Sequence, residues 1–253
     1  MLLQGQAAVV TGGGSGLGAA TAALLAASGC RVGVLDINRD AALATASRIG
    51  GAGAACDVAD AVAAEAALAE LRAAHGVERV LVNCAGIGAA GRIVGRDGPL
   101  RLDAFERVIR VNLIGTFNLL RLSAAAMCTL DPLEDGERGV IVNTASIAAY
   151  EGQVGQAAYA ASKGGVASLT LPAARELARF AVRVVTIAPG LFETPMVAGL
   201  PPEIQQSLGA SVPHPPRLGQ PEEYAALVGH IVANQYLNGE VIRLDGALRM
   251  AAR

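Results

Sequence analysis

At 253 residues the chain is long enough for one large domain, and 53% hydrophobic against 17% charged residues excludes intrinsic disorder, because so much apolar surface does not stay solvated. Its 20 Lys and Arg against 22 Asp and Glu leave a formal net charge of −2, without the broad basic field that draws in nucleic acid. Four cysteines (Cys30, Cys56, Cys84, Cys128) form no C-x-x-C pair and the three histidines are scattered, so neither a disulfide framework nor a metal site is expected. The uncharged stretch before Arg31 carries five glycines between Gly12 and Gly18 and opens with no basic segment, which argues against a membrane anchor or secretory leader and for a cytoplasmic protein.

Along the chain, short apolar runs alternate with Ala-rich stretches of helical character. The runs predict strands at Ala7 to Thr11, Arg31 to Asp36, Gly53 to Cys56, Arg79 to Asn83, Gly139 to Asn143, Val182 to Ala188 and Glu240 to Leu244. Between them, helices are predicted at Gly16 to Ser28, Arg39 to Ile49, Ala59 to His75, Leu102 to Cys128, Gln156 to Phe180 and Pro221 to Ala233. Strict alternation of this kind reads as an α/β fold, a doubly wound parallel seven-stranded sheet with helices on both faces. No linker or repeat divides the chain, so residues 1–253 form one domain. Two segments fall outside the pattern: Ala89 to Arg101, with Arg92, Arg96 and Arg101, and Leu191 to Gly219, with six prolines. Long irregular segments in compact domains are usually functional, and the second is expected to be a substrate lid.

Thr11-Gly12-Gly13-Gly14-Ser15-Gly16-Leu17-Gly18 lies between the first strand and the first helix. Glycines there let the backbone turn sharply and approach a pyrophosphate, whose charge meets free N–H groups and the positive helix end. The spacing fits two dinucleotide patterns, Gly14-x-Gly16-x-x-Ala19 and Gly12-x-x-x-Gly16-x-Gly18. Asp36 ends the second strand 20 residues after Gly16, where a carboxylate accepts from ribose hydroxyls and repels a 2′-phosphate, so NAD is expected over NADP, with Arg39 as the one nearby cation. Asp57-Val58 and Asn83-Cys84-Ala85-Gly86 also lie at carboxyl strand ends, where such sheets bind ligands. Asp57 suits helix capping equally well, and Cys84 reads as a small core hydrophobe.

Tyr159 and Lys163, four apart on a predicted helix, share a face. A phenol with a pKa near 10 is about one part in a thousand ionised at pH 7, so a useful base needs a cation beside it, and Lys163 and an oxidised nicotinamide both favour the phenolate. Ser146, three residues past the fifth strand, is placed to donate to a substrate oxygen. Tyr-x-x-x-Lys alone also arises by chance. The same helix carries Gly164, Gly165 and Pro172, each unfavourable in a helix interior, which predicts close approach by a cofactor on one side and by a second subunit on the other.

Taken together, Thr11 to Gly18, Asn83 to Gly86, Asn112, Ser146, Tyr159-x-x-x-Lys163 and Pro189-Gly190 resemble the short-chain dehydrogenase/reductase family over essentially the whole chain. The resemblance implies a Rossmann domain with NAD, Tyr159 as general acid and base, Lys163 on the nicotinamide ribose, Ser146 on the substrate carbonyl and Asn112 in a proton relay. It also places Gly12, Ser15, Gly16, Leu17, Gly18, Asp36, Asp57, Val58, Asn83, Ala85, Gly86, Pro189, Gly190, Leu191, Phe192 and Thr194 at the cofactor. The segments GVIVNTASIAAYEGQVGQAAYAASKGG, VRVVTIAPGLFETPM and LNGEVIRLDGALRM resemble the branch of the family that oxidises short or branched 3-hydroxyacyl-CoA thioesters. By that likeness Gln153 and Gln156 line the substrate side and Leu191, Phe192 and Met196 its apolar wall, in a homotetramer built on the Leu102 and Gln156 helices. Arg92, Arg96 and Arg101 either meet CoA phosphates or form a solvated loop. Glu193 and Cys84 depart from the family's commoner residues. Acyl-carrier-protein-linked 3-oxoacyl reduction, which Asp36 opposes, and hydroxysteroid oxidation are the enzymatic alternatives. A scaffold or RNA-processing role is the non-enzymatic one, which the charge disfavours.

Overall fold

The computed structural model describes every residue except Ala89, Asp97 and Arg253, and at position 196 the backbone alone. Its elements run β1 (Ala7–Thr11), α1 (Gly16–Ala27), β2 (Arg31–Asp36), α2 (Arg39–Ile49), β3 (Ala52–Ala55), α3 (Ala61–His75), β4 (Val80–Asn83), β5 (Val94–Gly95), β6 (Gly98–Pro99), α4 (Leu102–Ile109), α5 (Gly115–Met127), β7 (Gly139–Thr144), α6 (Ala157–Ala178), β8 (Val182–Pro189), α7 (Pro195–Ala198), α8 (Pro202–Ala210), α9 (Pro221–Ala233) and β9 (Val241–Leu244). Seven strands form one parallel sheet in the order β3-β2-β1-β4-β7-β8-β9. The winding therefore reverses between β1 and β4. At that seam two loops diverge to opposite faces and leave a crevice, the place where doubly wound sheets take ligands.

Both faces of the sheet are covered, which is why its strands read as continuous apolar runs. On one face Val10, Val32, Val82, Val142 and Ile187 pack with Leu25 of α1 and with Tyr224, Val228 and Ile231 of α9. On the other, Val9, Leu35, Leu81, Ile141 and Val184 pack with Leu68 and Leu71 of α3 and with Leu119 and Met127 of α5. Local signals set the helix ends. Asn38 accepts from the Ala41 N–H, Asp60 from the Val62 and Ala63 N–H groups, and α9 opens with a Gln220/Glu223 capping box and Pro221 in its first turn.

Four expectations need correction. The predicted helix from Leu102 to Cys128 is interrupted by a π-helical turn over Arg110–Ile114, centred on Asn112. Segment 191–219 is not irregular throughout: it holds the short helices α7 and α8, each with a proline in its first turn. Within the 89–101 segment Val94–Gly95 and Gly98–Pro99 pair as an antiparallel hairpin. Asp60, not Asp57, caps α3, while Asp57 accepts from the Ala59 N–H in the turn before it.

The odd composition of α6 also finds its reason within this chain. A Cβ on Gly165 would lie 2.7 Å from Leu113 Cδ2, so that glycine admits the π turn of the neighbouring helix. Pro172 neither ends nor shortens α6. The carbonyl it leaves without a helical donor belongs to Ser168, which is exposed and open to water. Ile141, fully buried in the interior strand β7, tests the core. Ile141→Ala is expected to lower the unfolding free energy by about 2–5 kcal/mol, read as a shifted urea midpoint with unchanged slope.

Candidate active site

The crevice between β1 and β4 is lined by backbone. Gly12 and Gly16 have positive φ (62° and 50°), so the loop after β1 turns as only glycine does cheaply. A Cβ on Gly12 would sit 2.8 Å from the Ala85 backbone, and one on Gly18 would be 2.3 Å from the Gly12 carbonyl oxygen. Thr11 Oγ1 accepts from the Ala85 N–H at 3.1 Å and fastens the two loops together. Ser15 caps α1 without engaging its own side chain, and the first turn carries no acidic group, so the N–H groups after Gly16 and Leu17 face the crevice uncompensated. The cradle fits a dinucleotide pyrophosphate: its depth is set by absent side chains and its potential by a helix start.

Asp36, half-buried, is tied down at the end of β2, accepting from the Gly14 N–H at 3.0 Å and the Asn38 N–H at 2.9 Å. Its carboxylate thus stands on the glycine loop itself, where an adenosine ribose would lie. Ile37, 76% exposed beside it, is an apolar side chain at the rim that the sequence reading passed over. Val58 is buried against Gly115 and Asp57 is exposed. The Asn83 amide does not reach the crevice. It donates to Asn143 Oδ1 at 2.9 Å inside the sheet, so this position brings only backbone to the site.

Past the crevice, α6 presents Tyr159 and Lys163 to the ends of β4 and β7. The Lys163 ammonium, 4% exposed, donates to the Thr144 carbonyl at 2.7 Å and lies 5.9 Å from the Tyr159 ring centre. A Cβ on Gly86 would come within 3.4 Å of that nitrogen, so the missing side chain opens the way from the crevice to Lys163. Ser146 Oγ accepts from the Ala148 N–H at 3.1 Å, the cap of a 3₁₀ turn over Ile147–Ala149, which leaves its hydroxyl proton free to donate. Asn112 is a brace. Its Oδ1 takes the Ile87 N–H at 2.8 Å, its Nδ2 donates to the Ile87 carbonyl and to Ser162 Oγ, each at 3.0 Å, and Ser162 donates to the Tyr159 carbonyl at 2.7 Å. The Asn112 carbonyl in turn accepts from Thr116 Oγ1 at 2.7 Å.

Burial acts on both titrating groups against their charged forms. It pulls the Lys163 ammonium down to about 8, with Cys84 partly restoring it, and pushes the Tyr159 phenol up, with Ser146 partly opposing. Within the chain, then, desolvation dominates at the phenol, and of the two positive charges expected to favour the phenolate, Lys163 and an oxidised nicotinamide, the first does not offset it. Lys163 is also the only lysine among 20 basic side chains, every other one being arginine. That count marks the residue without any motif, since arginine cannot be tuned to lose its proton.

Substrate-side residues are less uniform. Leu191 packs with Ile147, Val212 and Leu248 into an apolar wall next to Ser146. The Phe192 ring, expected in that wall, is buried in the main core against Gly219, whose Cβ would meet it at 2.8 Å. Gln153 spends its amide on the Ala251 carbonyl at 3.0 Å, and Gln156 precedes α6 with its Oε1 accepting from the Gln153 N–H. The Met196 side chain lies outside the described residues. Gly190 passes Asp245 so closely that a Cβ would sit 2.9 Å from its Cα, and Thr194 begins α7 with its Cγ2 3.5 Å from where a Gly16 Cβ would be. A cleft of about 790 Å³ between α1 and α7 is lined by Gly16, Thr194, Pro195 and Glu193 but by none of Ser146, Tyr159 and Lys163. Arg101 pairs with Asp103 at the start of α4, and Arg92 and Arg96 are exposed. Among the described residues no cluster of three metal-binding side chains occurs, and no helix is long and apolar enough to cross a membrane.

Comparison with known proteins places this geometry. The profile of the short chain dehydrogenase family matches residues 6–205. The chain is 50% identical over 252 residues to the 3-hydroxyacyl-CoA dehydrogenase type-2 of Homo sapiens, covering 98% of this chain and 97% of that one. It is 35% identical to the human (3R)-3-hydroxyacyl-CoA dehydrogenase, over 98% and 97% of the two chains. The crystal structure of 3-hydroxyacyl-CoA dehydrogenase type-2 from Mycobacterium avium superposes with a TM-score of 0.93 at 42% identity, covering 98% of each chain.

Lys163 makes stability depend on pH with a definite sign. Its folded value, about 8, lies below the ordinary 10.5, so between them the unfolded chain holds the extra proton and stability rises with pH; the full cost of burying the charge applies below 8. Compared with Lys163→Met, the wild type is expected to gain on the order of 3 kcal/mol from pH 7 to 10.5, measured as the difference between their denaturation curves. Parallel curves across that range would contradict the buried ammonium.

Proposed function

We infer the activity from one premise: the chain belongs to the short-chain dehydrogenase family, and it is an oxidoreductase acting on CH–OH donors with a nicotinamide dinucleotide. What remains is which nucleotide, which alcohol and which residue does what. The observation that carries the reading is the convergence of Tyr159, Ser146 and Lys163 beside the glycine-lined crevice.

The nucleotide is NAD. Asp36, fixed by the Gly14 N–H, offers a carboxylate to the adenosine ribose and opposes a 2′-phosphate at that spot. When bound, the oxidised nicotinamide supplies the hydride acceptor and a positive charge. Lys163 keeps one proton on Thr144 and has two more to give, and with Gly86 bare above it these would hold the nicotinamide ribose. Ser146, one lone pair engaged by the Ala148 N–H and its proton free, donates to the substrate oxygen and fixes the carbinol. Tyr159 then takes the hydroxyl proton as the C–H hydride departs, so one proton and one hydride leave the alcohol and a ketone remains. Asn112 holds the backbone of Tyr159 through Ser162 and so keeps the phenol in register with Ser146.

The alcohol is a 3-hydroxyacyl-CoA of short or branched chain. The named relatives support this, and the wall of Leu191, Ile147, Val212 and Leu248 suits an acyl tail. The same wall favours a second reading, a steroid alcohol, since nothing polar in it demands a thioester. Apolar side chains left at the surface of α5 and α6, Phe117 and Leu171 (48% and 44% exposed), together with Ile114 of the π turn, support self-association of the four-subunit kind.

Tyr159→Phe is expected to cut turnover of 3-hydroxyacyl-CoA by about 10³-fold or more while NAD binding, measured by calorimetry, stays within about twofold. Asp36→Ala is expected to raise the KM for NAD about tenfold or more and that for NADP much less. Equal losses for the two nucleotides would refute the ribose assignment.

A further inference from the structure

We propose that Tyr224, on α9 and absent from every role above, is a positioning residue for Lys163: its phenol holds Thr144, and Thr144 holds the ammonium. The proposal deepens the reading of Lys163 just given and rests on it.

Three hydrogen bonds carry it, and their directions are fixed by counting protons. Thr144 Oγ1 lies 2.6 Å from the Asn83 carbonyl, which can only accept, so the one hydroxyl proton of Thr144 is spent there. The Tyr224 hydroxyl, 2.7 Å from Thr144 Oγ1, must therefore be the donor between the two. The Tyr224 oxygen is left to accept, and the Cys84 thiol stands 3.7 Å from it and equally 3.7 Å from Thr144 Oγ1. A directed chain results, from Tyr224 through Thr144 to the end of β4, with the Cys84 thiol against both hydroxyls. Tyr224 is 0% exposed and Thr144 7%, while Cys84 is half-buried.

This chain matters because Thr144 is the last residue of β7. Its peptide unit is shared with Ala145, whose N–H goes to the Ile187 carbonyl at 2.8 Å on β8, so the trans carbonyl is turned the other way, into the Lys163 ammonium. Ala145 fixes one end of that peptide plane. The other end is fixed by the Thr144 side chain, suspended between Asn83 and Tyr224. Removing the Tyr224 hydroxyl takes from Thr144 its strong donor, leaving only the weak Cys84 thiol at 3.7 Å, and frees the strand end to shift. The groups that face Lys163 are the Tyr159 ring from its own helix, Cys84 from the loop after β4 and the Thr144 carbonyl from β7; Asn112 of the π turn lies across Gly86 from it. Tyr224 stands behind two of these. Cys84 packs its thiol against both hydroxyls.

Because Lys163 is the only lysine, full-length protein grown on lysine labelled with ¹³C at Cε gives one side-chain resonance, and its pH titration reads this one group. The wild-type midpoint is expected near the value of about 8 set by burial. Tyr224→Phe is expected to lower it by roughly half a unit, since a loosened carbonyl partner no longer favours the charged form, and to weaken NAD⁺ about fivefold, the worth of one neutral hydrogen bond. In a Thr144→Val background the same change should move neither. An unchanged Lys163 midpoint in Tyr224→Phe, whatever its melting temperature, overturns the proposal, and so does an equal drop in the Thr144→Val background. Should Tyr224→Phe not fold, Thr144→Val alone must produce the drop, and a wild-type midpoint there overturns it too. The titration needs no substrate, so a chain inactive on every alcohol would fail the functional reading without touching this result.

Discussion

The site is organised around the bond between the Lys163 ammonium and the Thr144 carbonyl. A lysine that is 4% exposed and lacks a carboxylate partner is an expensive group, because desolvation disfavours its charge and one carbonyl returns only part of the lost hydration. Such a group persists only where its surroundings over-determine its place. Here they do: Gly86 leaves it one open side, Tyr159 lies over another, and the strand end beneath it is pinned by β8 and by the Thr144 hydroxyl. Among the described residues the ammonium donates only to the Thr144 carbonyl, which leaves its other protons for a ligand.

That single anchor explains why the neighbouring features are as they are. The π turn at Asn112 widens the helix by one residue just where its amide must reach both Ile87 and Ser162. Gly165 gives up helix propensity so that Leu113, from the same turn, can seat against α6 and hold the two helices at the distance the brace requires. On the far side of the seam the glycine loop is shaped by what it touches rather than by freedom alone: Gly12 lies under Ala85 and Gly14 under Asp36. Nucleotide grip and proton chemistry are thus two sides of one crevice.

How far the sequence discloses this depends on which forces are local. The strands were legible because both faces of the sheet are buried and no alternation is needed, and the turn after β1 because glycine at positive φ has few other uses. Tyr159 and Lys163 share a face by helical period alone. What the sequence hides is tertiary: the π turn has no propensity signature, the Phe192 ring faces the core because Gly219 makes room for it, and the Asn83 amide faces Asn143 across a ladder that no spacing rule reveals. The depression of Lys163 and the elevation of Tyr159 follow from burial, which composition does not report. One signal was present and passed over, the restriction of lysine to a single position among many arginines.

The substrate side shows a different economy, built on charge at the surface rather than burial. Between Ser146 and Tyr159 the chain makes a loop whose Glu151 accepts from Arg243 at 2.7 Å, lies 3.3 Å from Arg249, and accepts from the Met250 N–H at 3.0 Å, while Asp245 takes both arginines from below. Any one such pair at the surface is worth less than about 1 kcal/mol. Four charges sharing one geometry, with Glu151 and Arg243 each about three-quarters or more shielded, restrain one another as a set. They bind residues 243–250 to the loop between Ser146 and Tyr159, and in doing so they bring Leu248 beside Leu191 and Ile147. The apolar wall is therefore completed by the chain's last segment, and its shape is governed by an ion network that lies outside it.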